Sequence, residues 1–405
     1  MDQRSPNSDA AARGGAFEVF RVFLSLGLTS FGGPVAHLGY FRDAFVVRRK
    51  WITDQAYADL VALCQFLPGP ASSQVGMAIG LQRAGYAGLV AAWTAFTLPS
   101  AILLVAFAYG ASALGEEAGT GWIQGLKAAA VAVVAHAVMG VARSLTPDKE
   151  RATVAAVGMI LAMLVPSALG QIAVILLGGL IGLAWFRPAT PDDGEHEELS
   201  VPVRKRTGAV FLVIFAALLF ILPAIAAATD NPAARMVDSF YRAGSLVFGG
   251  GHVVLPLLQA EVVETGFVGR EEFLAGYGAA QAVPGPLFTF AAYLGAVHNG
   301  EPSGLYGAVL ALLAIFLPSA LLVMGGLPFW ETLRKAPLVR RALMGVNAAV
   351  VGLLAAALYD PVFTEGIASS AAMAIAAAAF VALAAWRIPA WAVVIAAGLA
   401  GFAAL

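Results

Sequence analysis

The chain has 405 residues, 60% of them hydrophobic and 12% charged, with a formal net charge of −1. A soluble domain carries about 25% charged residues, and a large soluble helical core would need polar outer faces that few of the apolar stretches here possess. The charge balance leaves no footprint for nucleic acid, and the single cysteine, Cys64, excludes an intrachain disulfide or a cysteine cluster.

Residues 1–14 read as a polar, disordered tail without the apolar core and cleavage site of a signal peptide. A first hydrophobic element runs from Phe17 to Gly39, interrupted by Gly27, Gly32, Gly33 and Pro34, and a basic loop with Arg42, Arg48, Arg49 and Lys50 follows. Tyr57 to Gly80 is a second element, broken at Pro68-Gly69-Pro70; Tyr86 to Gly110 is a third, with Pro99 inside it. After an acidic turn (Glu116, Glu117) come Trp122 to Val141, a charged loop over Arg143 to Arg151, and two further segments, Ala152 to Val165 and Leu169 to Phe186. Residues 187–207 form a polar linker, acidic first and basic last, and Ala209 to Ala228 is an extra apolar segment. The remaining elements are Phe240 to Leu258, Phe273 to Val297, Gly304 to Leu327, Arg341 to Leu358, Ser369 to Trp386 and Pro389 to Leu405. Many of these stretches approach the roughly 20 apolar residues that cross a bilayer as a helix, so the chain reads as an all-α polytopic membrane protein.

The order of marks repeats. Phe31-Gly32-Gly33 and Phe248-Gly249-Gly250 lie 217 residues apart, the two Pro-Gly-Pro triplets 216 apart, and Leu98-Pro99-Ser100 and Leu317-Pro318-Ser319 lie 219 apart. We read two homologous halves, 15–186 and 229–405, joined by the linker and a connecting helix at 208–228. The odd extra segment inverts the second half relative to the first. Loop charge agrees: the loop after the first FGG mark is basic, whereas its counterpart holds Glu261, Glu264, Glu271 and Glu272 against Arg270 alone. The positive-inside rule then places the first loop and the N-terminus in the cytoplasm. Thirteen simple crossings do not satisfy the remaining charged loops. Four re-entrant hairpins at the FGG and PGP elements with nine full crossings do, and they put Arg83 inside and Glu117 outside.

Breaking a helix in lipid frees backbone N–H and C=O groups, which is tolerated where the break faces protein or a watery cavity. Inverted repeats with discontinuous helices build central sites in many secondary transporters. Glycine lets the backbone approach a ligand and proline ends a helix, and a helix that starts after the break offers unpaired amides and a positive dipole end to an anion. The binding candidates are therefore Gly32, Gly33, Pro68, Gly69, Pro70, Gly249, Gly250, Pro284, Gly285 and Pro286. To these are added Gln65, Ser72, Ser73, Gln281 and Thr289, which can donate hydrogen bonds to an oxyanion. Packing and capping are the alternative roles for these small polar side chains. His37 and His252 follow the two FGG marks and are candidates for proton coupling or anion attraction. Arg242, inside an apolar element, either neutralises an anion, pairs with Asp238 four residues earlier, or snorkels. The loop position of Glu261 and Glu264 reads as solvated. No metal cluster or cofactor motif is visible, and no nucleotide-binding loop of the ATPase kind.

Several stretches resemble the chromate ion transporter family in its long, two-domain form: FGGPVAHLGYFRDAFVVRRKW at 31–51, LCQFLPGPASSQVG at 63–76, FTLPSA at 96–101, FGGGHVVLPLL at 248–258, AQAVPGPLF at 280–288, FLPSA at 316–320 and GVNAAVVGLL at 345–354. The resemblance implies export of chromate from the bacterial cytoplasm by a secondary active transporter, driven by membrane potential or an ion gradient, with antiparallel domains and resulting chromate resistance. It also implies that sulfate, alike in shape and charge, competes or is itself carried. In the second half Gly251 stands where the first has Pro34, and Leu287-Phe288 follow the PGP where the first has Ala-Ser-Ser, so the halves are expected to contribute unequally. An anion channel or another oxyanion transporter on the same scaffold is the main alternative. A membrane enzyme would need catalytic acids, a nucleophile–base pair or a metal cluster, and none is convincing. A scaffold has no need for open helices at mid-bilayer. Oligomeric state is left open, a homo-oligomer included.

Overall fold

The computed structural model describes residues 15–30, 33–114, 121–165, 167–187, 203–229, 231–247 and 254–405. Every regular element among them is a helix. The first half contains α1 (Ala16–Thr29), α2 (Gly33–Phe41) running into a π-helix (Arg42–Arg48), α3 (Asp54–Phe66), α4 (Ala71–Leu114), α5 (Gly121–Leu145), α6 (Lys149–Leu164) and α7 (Ala168–Trp185). α8 (Lys205–Thr229) connects the halves. The second half contains α9 (Pro232–Leu246), α10 (Val254–Leu258) with a second π-helix (Gln259–Val263), α11 (Arg270–Ala282), a 3-10 turn (Leu287–Thr289) leading into α12 (Phe290–Ala296), and α13 (Gly304–Gly326). It ends with α14 (Trp330–Lys335), α15 (Pro337–Ala357), a third π-helix (Leu358–Phe363), α16 (Thr364–Gly366), α17 (Ser370–Ala384) and α18 (Ala390–Ala404). The acidic turn at 116–117, most of the linker and the tail at 1–14 lie outside the described residues.

Helix starts follow capping chemistry. Thr53, Asp148, Ser167, Asn231 and Ser369 each accept a backbone N–H from the first turn of the helix they precede, and Pro232 occupies the first position of α9, where no N–H is needed. α4 is two helices folded back on each other: Ala84 and Gly85 leave helical geometry, Gly85 at φ +63°, and Gly80 lies against Gly88 and Ala92 across the turn.

The paired short elements are re-entrant. α1 and α3 have 14 and 13 residues, so each extends about 20 Å at 1.5 Å per residue, too short to cross the roughly 30 Å hydrocarbon core. Phe23, midway along α1, packs its ring 5.6 Å from Phe41 and 5.0 Å from Phe45, so the chain returns along α1. Arg83, at the end of the first segment of α4, pairs with Glu18 of α1 at 3.2 Å and lies 5.0 Å over the Trp51 ring just before α3. Both first-half hairpins therefore open on one face. The second half does the same: the Asn299 N–H donates to the Phe267 carbonyl at 2.7 Å, which brings the end of α12 back to the start of α11.

Nine longer helical segments lie outside the hairpins: the second segment of α4, α5, α6, α7, α8, α13, α15, α17 and α18. Among the described residues five helices are long and apolar enough on their own, including α8, whose Val213 and Phe220 are 67% and 76% exposed and face lipid. α4 and α13 carry the two Leu-Pro-Ser marks and lie side by side. Trp93 meets Phe316 (ring centroids 5.8 Å), Ala101 shares a cluster with Ala308, and Tyr109 reaches Gly304. Numbers rise along one helix as they fall along the other, so equivalent helices run antiparallel and the halves are inverted. The basic ends (Lys50, Arg83, Arg143, Arg187, Arg204, Arg341, Arg387) then share one face; Glu264, Glu272, Glu301 and Asp360 share the other.

The terminal helix pairs are exchanged between halves: α6 and α7 pack on α15, and α17 and α18 pack on α5.

The hairpin arrangement makes a direct prediction. In a Cys64→Ala background, an impermeant maleimide should label a cysteine at Arg83 from the same side of membrane vesicles as one at Lys50, and one at Glu301 only from the other side. Labelling of positions 50 and 83 from opposite sides would rule the hairpins out.

Candidate functional site

The breaks of the two halves meet, and they do so reciprocally. The Gly69 N–H donates to the Val247 carbonyl at 2.6 Å, and the Gly285 N–H donates to the Ser30 carbonyl at 2.9 Å. Ser30 and Val247 are equivalent positions, each just before an FGG mark, and Gly69 and Gly285 are the central residues of the two PGP triplets. Each PGP loop thus caps the end of the other half's first helix, satisfying a carbonyl that has no partner in its own helix. The third pair of marks joins them. A Cβ on Gly69 would lie 2.6 Å from the Ser319 hydroxyl, and one on Gly285 would lie 2.9 Å from the Ser100 hydroxyl. Both glycines have left-handed backbone, with φ +123° and +95°, which side chains other than glycine rarely adopt.

Polar groups cluster at this crossing. His37 is fully buried; its Nε2 lies 3.1 Å from the Ser30 carbonyl and its Nδ1 3.4 Å from the Ser72 hydroxyl. The carbonyl can only accept, so Nε2 carries the proton and Nδ1 accepts from Ser72 in the neutral ring. The Gln74 side-chain amide donates to the Pro68 carbonyl at 2.7 Å, pinning the first PGP loop. The Gln74 N–H bonds the Pro70 carbonyl at 2.9 Å, so the amides of residues 71–73 precede the first intrahelical bond of α4. Among the described residues, the hydroxyls of Ser30, Ser73, Thr97 and Ser319 and the amide nitrogen of Gln281 are buried without a hydrogen-bond partner. Buried polar atoms are rarely left so. All five are on segments that form the crossing, and all can donate.

The other candidates fall as follows. Pro68, Pro70, Pro284 and Pro286 flank the two crossing glycines. Gly33 opens α2 with φ +77°. Gln65 is exposed on α3. The Thr289 hydroxyl is buried but donates to the Pro286 carbonyl at 2.7 Å, bracing its own loop. Arg242 pairs with Asp238, the alternative named from their spacing, and also lies 3.5 Å from Glu261. Glu261 is 6% exposed in a π-helix, so the solvated reading of that residue fails: the hairpin folds it back against α9. Glu264 is exposed. Gly32, Gly249, Gly250 and His252 lie outside the described residues. At the 217-residue spacing the position equivalent to His37 is Val254.

Gln74, Thr97, Ser100 and Ser319 were not among the sequence candidates. The Leu-Pro-Ser repeat marked the two serines as equivalent, and helical phase from Ser73 onward could have turned attention to Gln74. The crossing is unequal. Ser72, Ser73, Gln74 and Thr97 have Phe288, Thr289, Phe290 and Phe316 as their counterparts, so the first half brings the polar side chains and the second half mostly apolar ones.

Interrupted helices from two inverted halves, meeting inside the bilayer with unpaired donors, are the architecture of a polytopic membrane transporter. The chain belongs to the chromate transporter family, whose model matches residues 17–183 and again 234–402. It is 29% identical over 410 residues to the chromate transport protein of Pseudomonas aeruginosa, covering 95% of this chain and 91% of that one. It is 28% identical over 351 residues to the chromate transport protein of Cupriavidus metallidurans, covering 84% and 81%. It is 27% identical over 350 residues to a probable chromate transport protein of Synechococcus elongatus, covering 84% and 83%. No solved structure matches the chain.

Proposed function

We propose that the chain is a secondary active transporter that exports chromate across the bacterial cytoplasmic membrane and so confers chromate resistance, with sulfate as a competitor or second substrate. The observation that carries this reading is the reciprocal pair of bonds from Gly69 to Val247 and from Gly285 to Ser30, which brings both PGP loops to the ends of the opposite first helices beside unpaired buried donors. A tetrahedral oxyanion accepts hydrogen bonds at every oxygen and offers none, so a site of hydroxyls, amides and helix N–H groups fits it. Ser73 and Gln281 are the side chains assigned to contact, with Gln65 at the exposed edge; the Ser72 hydroxyl gives its hydrogen to His37, so Ser72 contributes its backbone N–H. The basic face is assigned to the cytoplasm, the N-terminus with it. An inside-negative potential then drives a dianion outward with roughly 4.6 kcal/mol per 100 mV, twice the single-charge value.

Flux through purified protein in oriented vesicles tests the proposal, comparing chromate, sulfate, molybdate and phosphate with and without an imposed potential. Saturable chromate flux that rises with potential is the expected result; unitary currents would mean a channel, and no flux would reject the reading. Hydrogen bonds to charged groups contribute about 1.5–3 kcal/mol, so Ser73→Ala should raise the apparent KM for chromate about tenfold or more. An unchanged KM would remove the Ser73 hydroxyl from the site, and the same measurement on Gln65→Ala decides its place.

A further inference from the structure

Asp238, Arg242 and Glu261 form a charged triad inside the second half that the anion site does not use. The Asp238 and Glu261 side chains are 9% and 8% exposed, and both meet the one guanidinium of Arg242, which touches Asp238 directly and Glu261 at 3.5 Å. The Ser239 hydroxyl also bonds Glu261. With both carboxylates ionised the triad carries one uncompensated negative charge, which is costly to hold away from water. A proton on one carboxylate removes it. Glu264 adds a further negative charge at the outer edge, and α11 brings Arg270, Glu271 and Glu272 at its outer end and the buried Tyr277. Arg235 lies on the exposed side of α9. α10 and α13 carry no Asp, Glu, Lys, Arg or His, α8 carries them only in its first two residues, and α15 has Arg340 and Arg341 at its opposite end. Among the described residues, no second cation therefore faces Glu261 from the elements packed against it.

Three observations place this triad on a route. Glu261 sits in a π-helix, a local distortion often found at functional positions. The Arg242 side chain is 23% exposed, so water reaches the triad at its edge, and the same π-helix borders a separate cleft of about 480 Å³ lined by Gln171, Pro256, Gln259, Glu264 and Arg270. At its inner end, α9 leads from Arg242 to Val247, whose carbonyl holds the Gly69 loop at the crossing. The first half has Arg21, Ser25 and Ala44 at the equivalent positions, so the device is built once, in the half whose crossing residues are apolar.

We propose that Asp238 and Glu261 share one exchangeable proton, taken from water at the exposed edge of the triad onto a carboxylate oxygen, and that this proton is coupled to oxyanion binding at the crossing. A dianion at the crossing raises the proton affinity of the triad, and a protonated triad stops repelling the dianion; the two effects are equal by linkage. The inference rests on the oxyanion-site reading. The test adds chromate to purified protein in mildly alkaline, weakly buffered solution, where chromate is already the dianion, and follows binding by calorimetry and pH with an indicator dye. The expected result is about one proton taken up per chromate bound by the wild type. Glu261→Gln and Asp238→Asn should each still bind chromate with that uptake lost. Chromate binding without proton uptake by the wild type, or uptake unchanged in both variants, overturns the coupling alone. No chromate binding by the wild type overturns the oxyanion site and the coupling with it.

Discussion

Gly69→Ala is expected to insert and fold yet lose at least nine-tenths of chromate flux. Two costs meet at this position. Alanine at φ +123° carries backbone strain of about 1–3 kcal/mol. Its methyl would also lie 2.6 Å from the Ser319 hydroxyl and 2.7 Å from the Gln74 amide nitrogen. Gln74 can recoil only by releasing the Pro68 carbonyl, and the loop can recoil only by breaking the Gly69 bond to Val247. Either movement opens the crossing. A protein stable by about 5–15 kcal/mol survives this, whereas each 1.4 kcal/mol lost from the transport barrier costs about tenfold in rate. Gly285→Ala should behave alike, with Ser100 at 2.9 Å and the Phe96 carbonyl at 3.1 Å as the obstructing atoms. Ser319→Gly should restore part of the flux to Gly69→Ala, because it removes the hydroxyl clash and leaves the Gln74 contact and the backbone strain. Vesicle flux normalised to inserted protein is the measurement. Wild-type flux in Gly69→Ala would show that the reciprocal loop contact is dispensable.

Gly345→Val, by contrast, should prevent a folded protein from accumulating. Gly345 of α15 lies against the backbone of Gly178 and Gly182 of α7, and a Cβ there would fall inside the Gly178 carbonyl oxygen. Overpacking ordinarily costs about 1–3 kcal/mol because side chains give way; here backbone meets backbone, and the helices must separate along the seam between halves. The loss should approach the whole stability of the fold. The fraction of detergent-extracted protein that elutes as one symmetric peak measures it. Gly178→Val should match the defect, and Gly140→Ala, which meets nothing within 4 Å, should not. A normal peak for Gly345→Val would mean that the seam yields without cost.

The halves, their breaks and their inversion were legible because glycine and proline punctuate apolar sequence and the punctuation repeats. The partners of the breaks were not legible. Gly69 and Gly285 bond to the carbonyls of Ser30 and Val247, and every residue has a carbonyl, so nothing in the sequence marks the acceptor. Position relative to a motif misled at Glu261. A run of acids after an apolar element looks like a solvent loop, but Glu261 still lies in the π-helix before that loop, packed against Arg242. His37 and His252 suggested a matched pair, yet the spacing that aligns the loops sets Val254 opposite His37. What remained hidden was tertiary and unequal between halves, and a repeat read from its shared residues shows only what the halves have in common.

The exchanged terminal helix pairs also dictate an order of assembly. When the ribosome has finished α6 and α7, the helix they will embrace, α15, is still some 150 residues from synthesis. The N-terminal half must wait in the bilayer with that face open to lipid or to the insertion machinery. α17 and α18, made after the first half, find α5 already in place and dock on it. The final link in biogenesis is therefore the clasping of two half-built bundles, each completing the other.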